Sequence, residues 1–256
     1  MSGENEPLAP YAIRQFKIYE WIPLEFGGVN ASFSNSAAAM LLTSLLVGGF
    51  TFLAVRKKQM VPGKMQASVE LVHTLVMKTL VETAGSAGRK HLPFVFAMFS
   101  FIFFGTLIGL TPVKFTFTSH LVVTIGLSLI VFLYVIRIGL QQHGLHFFKS
   151  FLPDGTPLWL APLIVPIEVI SYLFRPVTLG VRLFANILAG HMIIKLFGDF
   201  CMMMINSLGG YGYALSIIPI FMMVLFYAVE IVVVFIQSYI FMLLTCIYIR
   251  SSNELH

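Results

Sequence analysis

Arg182 stands inside Val177–Ile194, VTLGVRLFANILAGHMII, a run whose other residues are apolar or small apart from Asn186 and His191. A guanidinium stays protonated at any physiological pH, so it cannot enter an apolar medium by giving up its charge. At the centre of a membrane helix it costs about 2.5–3.5 kcal/mol on insertion scales. Such a cost is tolerated where the charge faces a protein partner, a water-filled cavity or an ion path, and a structural ion pair is the plainer alternative. Further polar residues share the segment. Glu168, Arg175 and Arg182 follow one another at two helical turns, Thr178, Arg182 and Asn186 at i, i+4, and His191 comes after them. This spacing predicts a polar stripe down one helix face. A second long apolar segment carries Glu230 and Gln237, also two turns apart.

Folding the two segments antiparallel about Gly209-Gly210 pairs residues whose numbers have a nearly constant sum. His191 with Glu230 and Arg182 with Gln237 satisfy that condition to within two residues. The chemistry of such a seam is proton handling. Imidazole titrates near neutral pH, and beside a carboxylate it can pass a proton on. Arg182 cannot carry the proton, but it can hold an ionised carboxylate from a partner and block a direct leak. Plainer roles remain for each neighbour: His191 as a satisfied core histidine, Glu168 as a structural partner of Arg175, Gln237 as interhelical glue. His143 and His146 are spaced i, i+3 in a polar loop, with no third ligand close in sequence, so no metal site is expected. Cys201 and Cys246 lie in apolar runs and read as small core residues, not a disulfide. No phosphate-binding glycine loop, nucleophile elbow or metalloprotease helix is present, and no cofactor is expected.

The elements that must position these residues follow from composition. Of 256 residues, 58% are hydrophobic and only 11% charged, against about 25% charged in soluble proteins. The chain is therefore expected to be an all-α polytopic membrane protein with no soluble catalytic domain. Its net charge of +5 does not indicate nucleic acid, because the cations cluster beside hydrophobic segments. The N-terminus lacks the pattern of a secretory signal or transit peptide. Residues 1–33 read as a polar arm and 34–256 as a single membrane domain. Within it, 37–55 is one span, and 65–84 is an amphipathic helix for the membrane surface. Its stripe is Val69, Val72, Val76, Leu80 and Ala84, interrupted by Glu70, Lys78 and Glu82. Residues 93–138 form a transmembrane hairpin, followed by a polar loop over 141–156. Residues 162–249 form a long hairpin, divided at 206–212, with Pro176 and Pro219 as kink points. Its second arm of 37 residues is about 55 Å long as one helix, so across a core of about 30 Å it must tilt, kink or protrude. Seven Lys and Arg lie between Arg56 and Lys90, and Arg137, Lys149 and Arg250 join them, against Arg14, Lys17 and Lys114 on the other side. That asymmetry puts the C-terminus on the cytoplasmic or matrix side.

RPVTLGVRLFANILAGH, residues 175–191, resembles the signature of subunit a of the F-type rotary ATP synthase. IQSYIFMLLTCIYI, residues 236–249, resembles that subunit's last helix, and FTSHLVVTIGLSL, residues 117–129, extends the similarity upstream. The resemblance implies a membrane stator beside a ring of c subunits, with two offset half-channels leading to the ring carboxylates. Arg182 then matches the arginine that separates the channels. His191 and Glu230 match the pair on the positive side, Glu168 an acid of the outlet, and Gln237 and Asn186 polar residues near the arginine. Arg175 and Thr178 are secondary members of the seam. The implied partners are the c-ring, peripheral stalk subunits, other membrane subunits and lipids such as cardiolipin. The complex is a proton-transporting ATPase, and this subunit is not its catalyst. The enterobacterial form places an acid at the His191 position and a histidine at the Glu230 position. The order found here is that of mitochondrial and alphaproteobacterial members, which implies a mitochondrial inner membrane or the plasma membrane of a related bacterium. A secondary transporter with a proton relay is the alternative. It would need its own substrate cavity, usually between repeats, and the sequence has none visible.

Overall fold

A computed structural model describes residues 20–22, 25–26, 29–30, 33–56, 61–110, 117–144 and 160–253. Seven α-helices carry the described part: α1 (Asn35–Arg56), α2 (Lys64–Ala84), α3 (Leu92–Leu110), α4 (Leu121–His143), α5 (Ala161–Leu208), α6 (Gly210–Leu215) and α7 (Ile217–Asn253). The polar arm is not wholly irregular. β1 (Glu20–Ile22) pairs antiparallel with β4 (Phe33–Ser34), and β2 (Glu25–Phe26) pairs with β3 (Val29–Asn30) inside it. Strands of two or three residues have too little pattern to announce themselves in sequence. The rest of the arm, with Arg14 and Lys17, lies outside the described residues, as do Lys57, Lys58, Lys114, His146 and Lys149.

Five helical segments among the described residues are long and apolar enough to cross a membrane, and α2 is not one of them. α1 buries little beyond Ser36, Thr43 and Ala54, and leaves Leu45 72% exposed. A helix apolar on all sides, with so little of it covered by its own chain, is suited to lipid or a partner helix. α2 behaves as its pattern predicts. Val76, Leu80 and Ala84 are buried, while Glu70, Lys78 and Glu82 are exposed. α2 packs this face on α1, α3 and α7. Arg250 of α7 donates to the Thr83 carbonyl at 3.4 Å, so the end of α2 meets the end of α7.

α3 and α4, expected as a hairpin, each pack on α7 rather than along each other. Between them the Phe117 ring presses on Gly105, where any Cβ would overlap it. Tyr134 of α4 stacks on Phe94 at 3.8 Å and shares a 3.0 Å hydrogen bond with His91, tying α4 to the start of α3. α4 continues through His143, which was expected in the following loop; Gly144, at φ 55°, ends the helix. Among the described residues no group of three or more His, Cys, Asp or Glu could hold a metal, and both cysteines are free.

α7 is the central helix, packed against α2, α3, α4 and α5. Its Phe241, Met242, Cys246 and Ile249 meet Leu80 of α2, Phe99 of α3 and Val135 of α4 in one core. Ser252 donates to the Val135 carbonyl at 2.9 Å, fixing α7 to α4. α5 holds 48 residues, about 70 Å of helix, and runs through Pro166 and Pro176. The reversal uses Gly209, at φ 54°, and then the single turn α6. Gly212 of that turn sits directly on the backbone of Met204 and Ile205. Pro219 is no mid-helix kink. It falls in the first turn of α7, where its missing N–H would have no intrahelical partner anyway.

Candidate functional site

Three contacts fix how α5 and α7 face each other. The Phe197 and Phe226 rings stack at 5.3 Å. The Glu230 carboxyl lies on the Gly190 backbone, so close that a Cβ there would sit 2.5 Å from Oε1. Arg175 lies over the Tyr248 ring, 5.5 Å from its centroid. All three keep the antiparallel register about Gly209-Gly210. Gly190, the residue before His191, thus seats Glu230, and Gln237 falls about level with the turn from Arg182 to Asn186.

On α7, Glu230, Gln237 and Tyr248 share a face, because their spacings of seven and eleven residues are near whole numbers of turns. Glu230 and Gln237 are each 6% exposed. Glu230 Oε2 and Gln237 Nε2 are buried without a hydrogen-bond partner among the described residues. Each such atom costs about 1–3 kcal/mol.

On α5, Arg182 and Thr178 are exposed, and the small residues Ala185 and Ala189 are exposed on the same outward side. No carboxylate among the described residues pairs with Arg182. Glu168 and Asn186 are half-buried. Glu168 does not pair with Arg175, whose guanidinium carbon lies 4.9 Å from the Tyr172 ring centroid. The structural ion pairs considered for both arginines are thus not made within the described chain.

His191 departs from the expected single stripe. Nine residues beyond Arg182 is about two and a half turns, which carries it roughly half-way round the helix. The stripe therefore runs from Glu168 to Asn186, and His191 stands on the other flank. Lys195 and Asp199 continue that flank at i+4 and i+8, and Lys195 is within electrostatic reach of both His191 and Asp199. Sequence reasoning passed over Lys195, Asp199, Tyr248 and Gly190. The first two were legible by spacing from His191, and Tyr248 by extending the Glu230–Gln237 stripe three turns. Gly190 gave no signal, since its role is to lack a side chain. Beside the hairpin, Gly180 lets α5 approach α4, with Ile125 Cα, Thr124 O and Ser128 Oγ all 3.0 Å from where a Cβ would stand. His120 precedes α4, and burial holds its imidazole below the usual histidine value.

The membrane-length helices define a polytopic membrane protein, with a buried carboxyl and an outward arginine on one helical hairpin. Residues 37–250 match the family described as ATP synthase A chain. The chain is 42% identical over 245 residues to ATP synthase subunit a of Granulibacter bethesdensis, covering 96% of this chain and 97% of that one. It is 43% identical over 240 residues to ATP synthase subunit a of Mesorhizobium japonicum, covering 94% and 95%. Its identity to ATP synthase subunit a of Parvibaculum lavamentivorans is 42% over 251 residues, covering 98% and 95%. The chain belongs to the ATP synthase subunit a family.

Proposed function

We propose that this chain is the proton-translocating stator of a rotary ATP synthase and gives a c-ring two access paths, one to each side of the membrane. The observation that carries the reading is Arg182: a permanent charge near the middle of an apolar helix, exposed, with no acid of its own described chain to hold it. A partner must neutralise it, and a ring carboxylate is the group a guanidinium binds best. Thr178, Ala185 and Ala189 leave room for that ring to approach. Glu230 and His191 serve the path from the positive side, with Gln237 and Asn186 at the arginine. Glu168, two layers away on α5, serves the outlet.

The ionised ring carboxylate is costly in lipid, so it must be protonated before it leaves the interface with this chain. Arg182 favours the ionised form only while the carboxylate is beside it. Protonation from one path and release to the other then turn the ring in one direction. One proton crossing 100 mV releases about 2.3 kcal/mol, which is too little for one ATP, so several crossings must be summed. A ring sums them, and this subunit makes no ATP itself. Its partners are the c-ring, the peripheral stalk and other membrane subunits, with anionic lipids such as cardiolipin around them. The bacterial relatives support a bacterial plasma membrane over the mitochondrial inner membrane, and the Lys and Arg distribution supports a cytoplasmic C-terminus.

Arg182→Ala tests the reading. ATP-driven proton pumping is expected to vanish in complexes that still assemble. Arg182→Lys is expected to fail largely as well, since an ammonium lacks the planar fork. Near-normal pumping in an assembled Arg182→Ala complex would remove the basis of the proposal.

A further inference from the structure

Arg175 lies on the α5 stripe midway between Glu168 and Arg182, seven residues from each. It is half-buried, and aromatic rings hold it. Its guanidinium carbon is 4.9 Å from the Tyr172 ring centroid and 5.5 Å from that of Tyr248 on α7. Both distances fall within the range of about 6 Å over which a ring face attracts a cation. Phe132 of α4 backs the Tyr172 ring at 5.2 Å. Arg250, the next cation along α7, is turned away to the Thr83 carbonyl.

The natural partner for a guanidinium is a carboxylate, and Glu168 is the nearest one on this face. Seven residues of helix is about 10.5 Å, which an extended arginine and an extended glutamate can close together. Helical side chains lean toward the N-terminus, so Arg175 leans toward the level of Glu168. Yet among the described residues the two do not pair. The difference matters for proton release. A carboxylate clamped by a permanent cation stays ionised and stops exchanging protons.

We propose that Tyr172 and Tyr248 are positioning residues that hold Arg175 off Glu168 and so keep the Glu168 carboxylate open for proton exchange, an inference that rests on the outlet role proposed for Glu168. The same stack fastens α5 to α7 on the outlet side of Arg182. The tyrosine rings carry this role, and their hydroxyls do not.

The test is ATP-driven acidification of inverted membrane vesicles that carry the whole complex, with assembly checked by copurification. Tyr248→Leu removes one ring, lets Arg175 reach Glu168, and is expected to lower pumping about tenfold, the weight of one partly buried cation–ring contact. Tyr248→Phe keeps the ring and should retain pumping. Adding Arg175→Gln to Tyr248→Leu removes the competing cation and should restore pumping to the level of Arg175→Gln alone. Unimpaired pumping in Tyr248→Leu would overturn the proposal, and so would a loss that Arg175→Gln does not relieve. If Tyr248→Leu fails to assemble, Tyr172→Leu with and without Arg175→Gln carries the same comparison. Glu168→Gln in the same vesicles separates the two levels of inference. Normal pumping there would refute the outlet role, whereas impaired pumping without the rescue would refute the ring clamp alone.

Discussion

Gly190→Ala is a one-methyl change with opposite consequences for the helix and for the proton path. In helix propensity, alanine gains about 0.8–1.0 kcal/mol over glycine. Against that, the new Cβ would lie 2.5 Å from Glu230 Oε1, 2.7 Å from Cδ and 3.1 Å from Cγ. To reach an ordinary 3.4 Å contact, the carboxyl must retreat by about 0.9 Å. Glu230 is only 6% exposed, so that retreat is into packed surroundings. Overpacking of this kind costs about 1–3 kcal/mol, which the propensity gain offsets in part, so the fold survives. Proton transfer is less tolerant, since a misplacement of about 1 Å can cost on the order of a hundredfold. The complex is therefore expected to assemble at near-normal levels and pump at least about tenfold more slowly. Quenching of a pH-sensitive dye in inverted vesicles reads the rate, and immunoblotting of purified complex reads assembly. Glu230→Asp shortens the side chain by about one C–C bond, 1.5 Å, more than the clash requires. Combined with Gly190→Ala, it should recover part of the lost rate. Wild-type pumping in assembled Gly190→Ala, or a double variant no better than Gly190→Ala, would refute the steric reasoning.

Exchanging the inlet pair, His191→Glu with Glu230→His, should retain more pumping than His191→Ala or Glu230→Ala, because both groups remain at one level of the hairpin. An exchange as inactive as both alanine variants would count against that pairing. His120 makes a prediction about pH. Burial holds its imidazole below the usual value, so the folded chain favours the neutral ring and the unfolded chain binds the proton more readily. Stability from this site is complete above about pH 6.5 and is lost as pH falls below it. His120→Gln should therefore lose less thermal stability than wild type between pH 7.5 and 5.5, measured as the inactivation midpoint of the purified complex. An equal loss in both would contradict the assignment.

The hairpin register was legible because Gly209-Gly210 marks the reversal and intramembrane polar residues are few enough to compare. α2 was legible for a related reason: charges at Glu70, Lys78 and Glu82 interrupt an apolar stripe at helical spacing. Other features had no such contrast. Tyr248 reads as one more aromatic in an apolar helix until Arg175 is seen beside it. The close approach at Gly190 depends on where Glu230 of another helix comes to rest. Pro219 reads as a kink only if α7 begins earlier, and the single turn α6 displaced that start. His191 does not share the face of Arg182, since 3.6 residues per turn carries it about half-way round the helix. Its relation to Glu230 came from the register between helices, which a face count on one helix does not test.

The most direct test of the account asks from which side each path opens. Glu168 precedes Arg182 by 14 residues, about 21 Å of helix. Glu230 sits on Gly190, about 12 Å beyond Arg182 in the other direction. Tilt shortens these depths but keeps their order. In a background with Cys201 and Cys246 replaced, Ile164→Cys reports near Glu168 and Met223→Cys, on the face of Glu230, reports near the inlet. A membrane-impermeant maleimide is added to sealed vesicles of each orientation. The account predicts that Ile164→Cys reacts only from the cytoplasmic face and Met223→Cys only from the opposite face. Reaction of both cysteines from one and the same side would contradict two half-channels separated by Arg182.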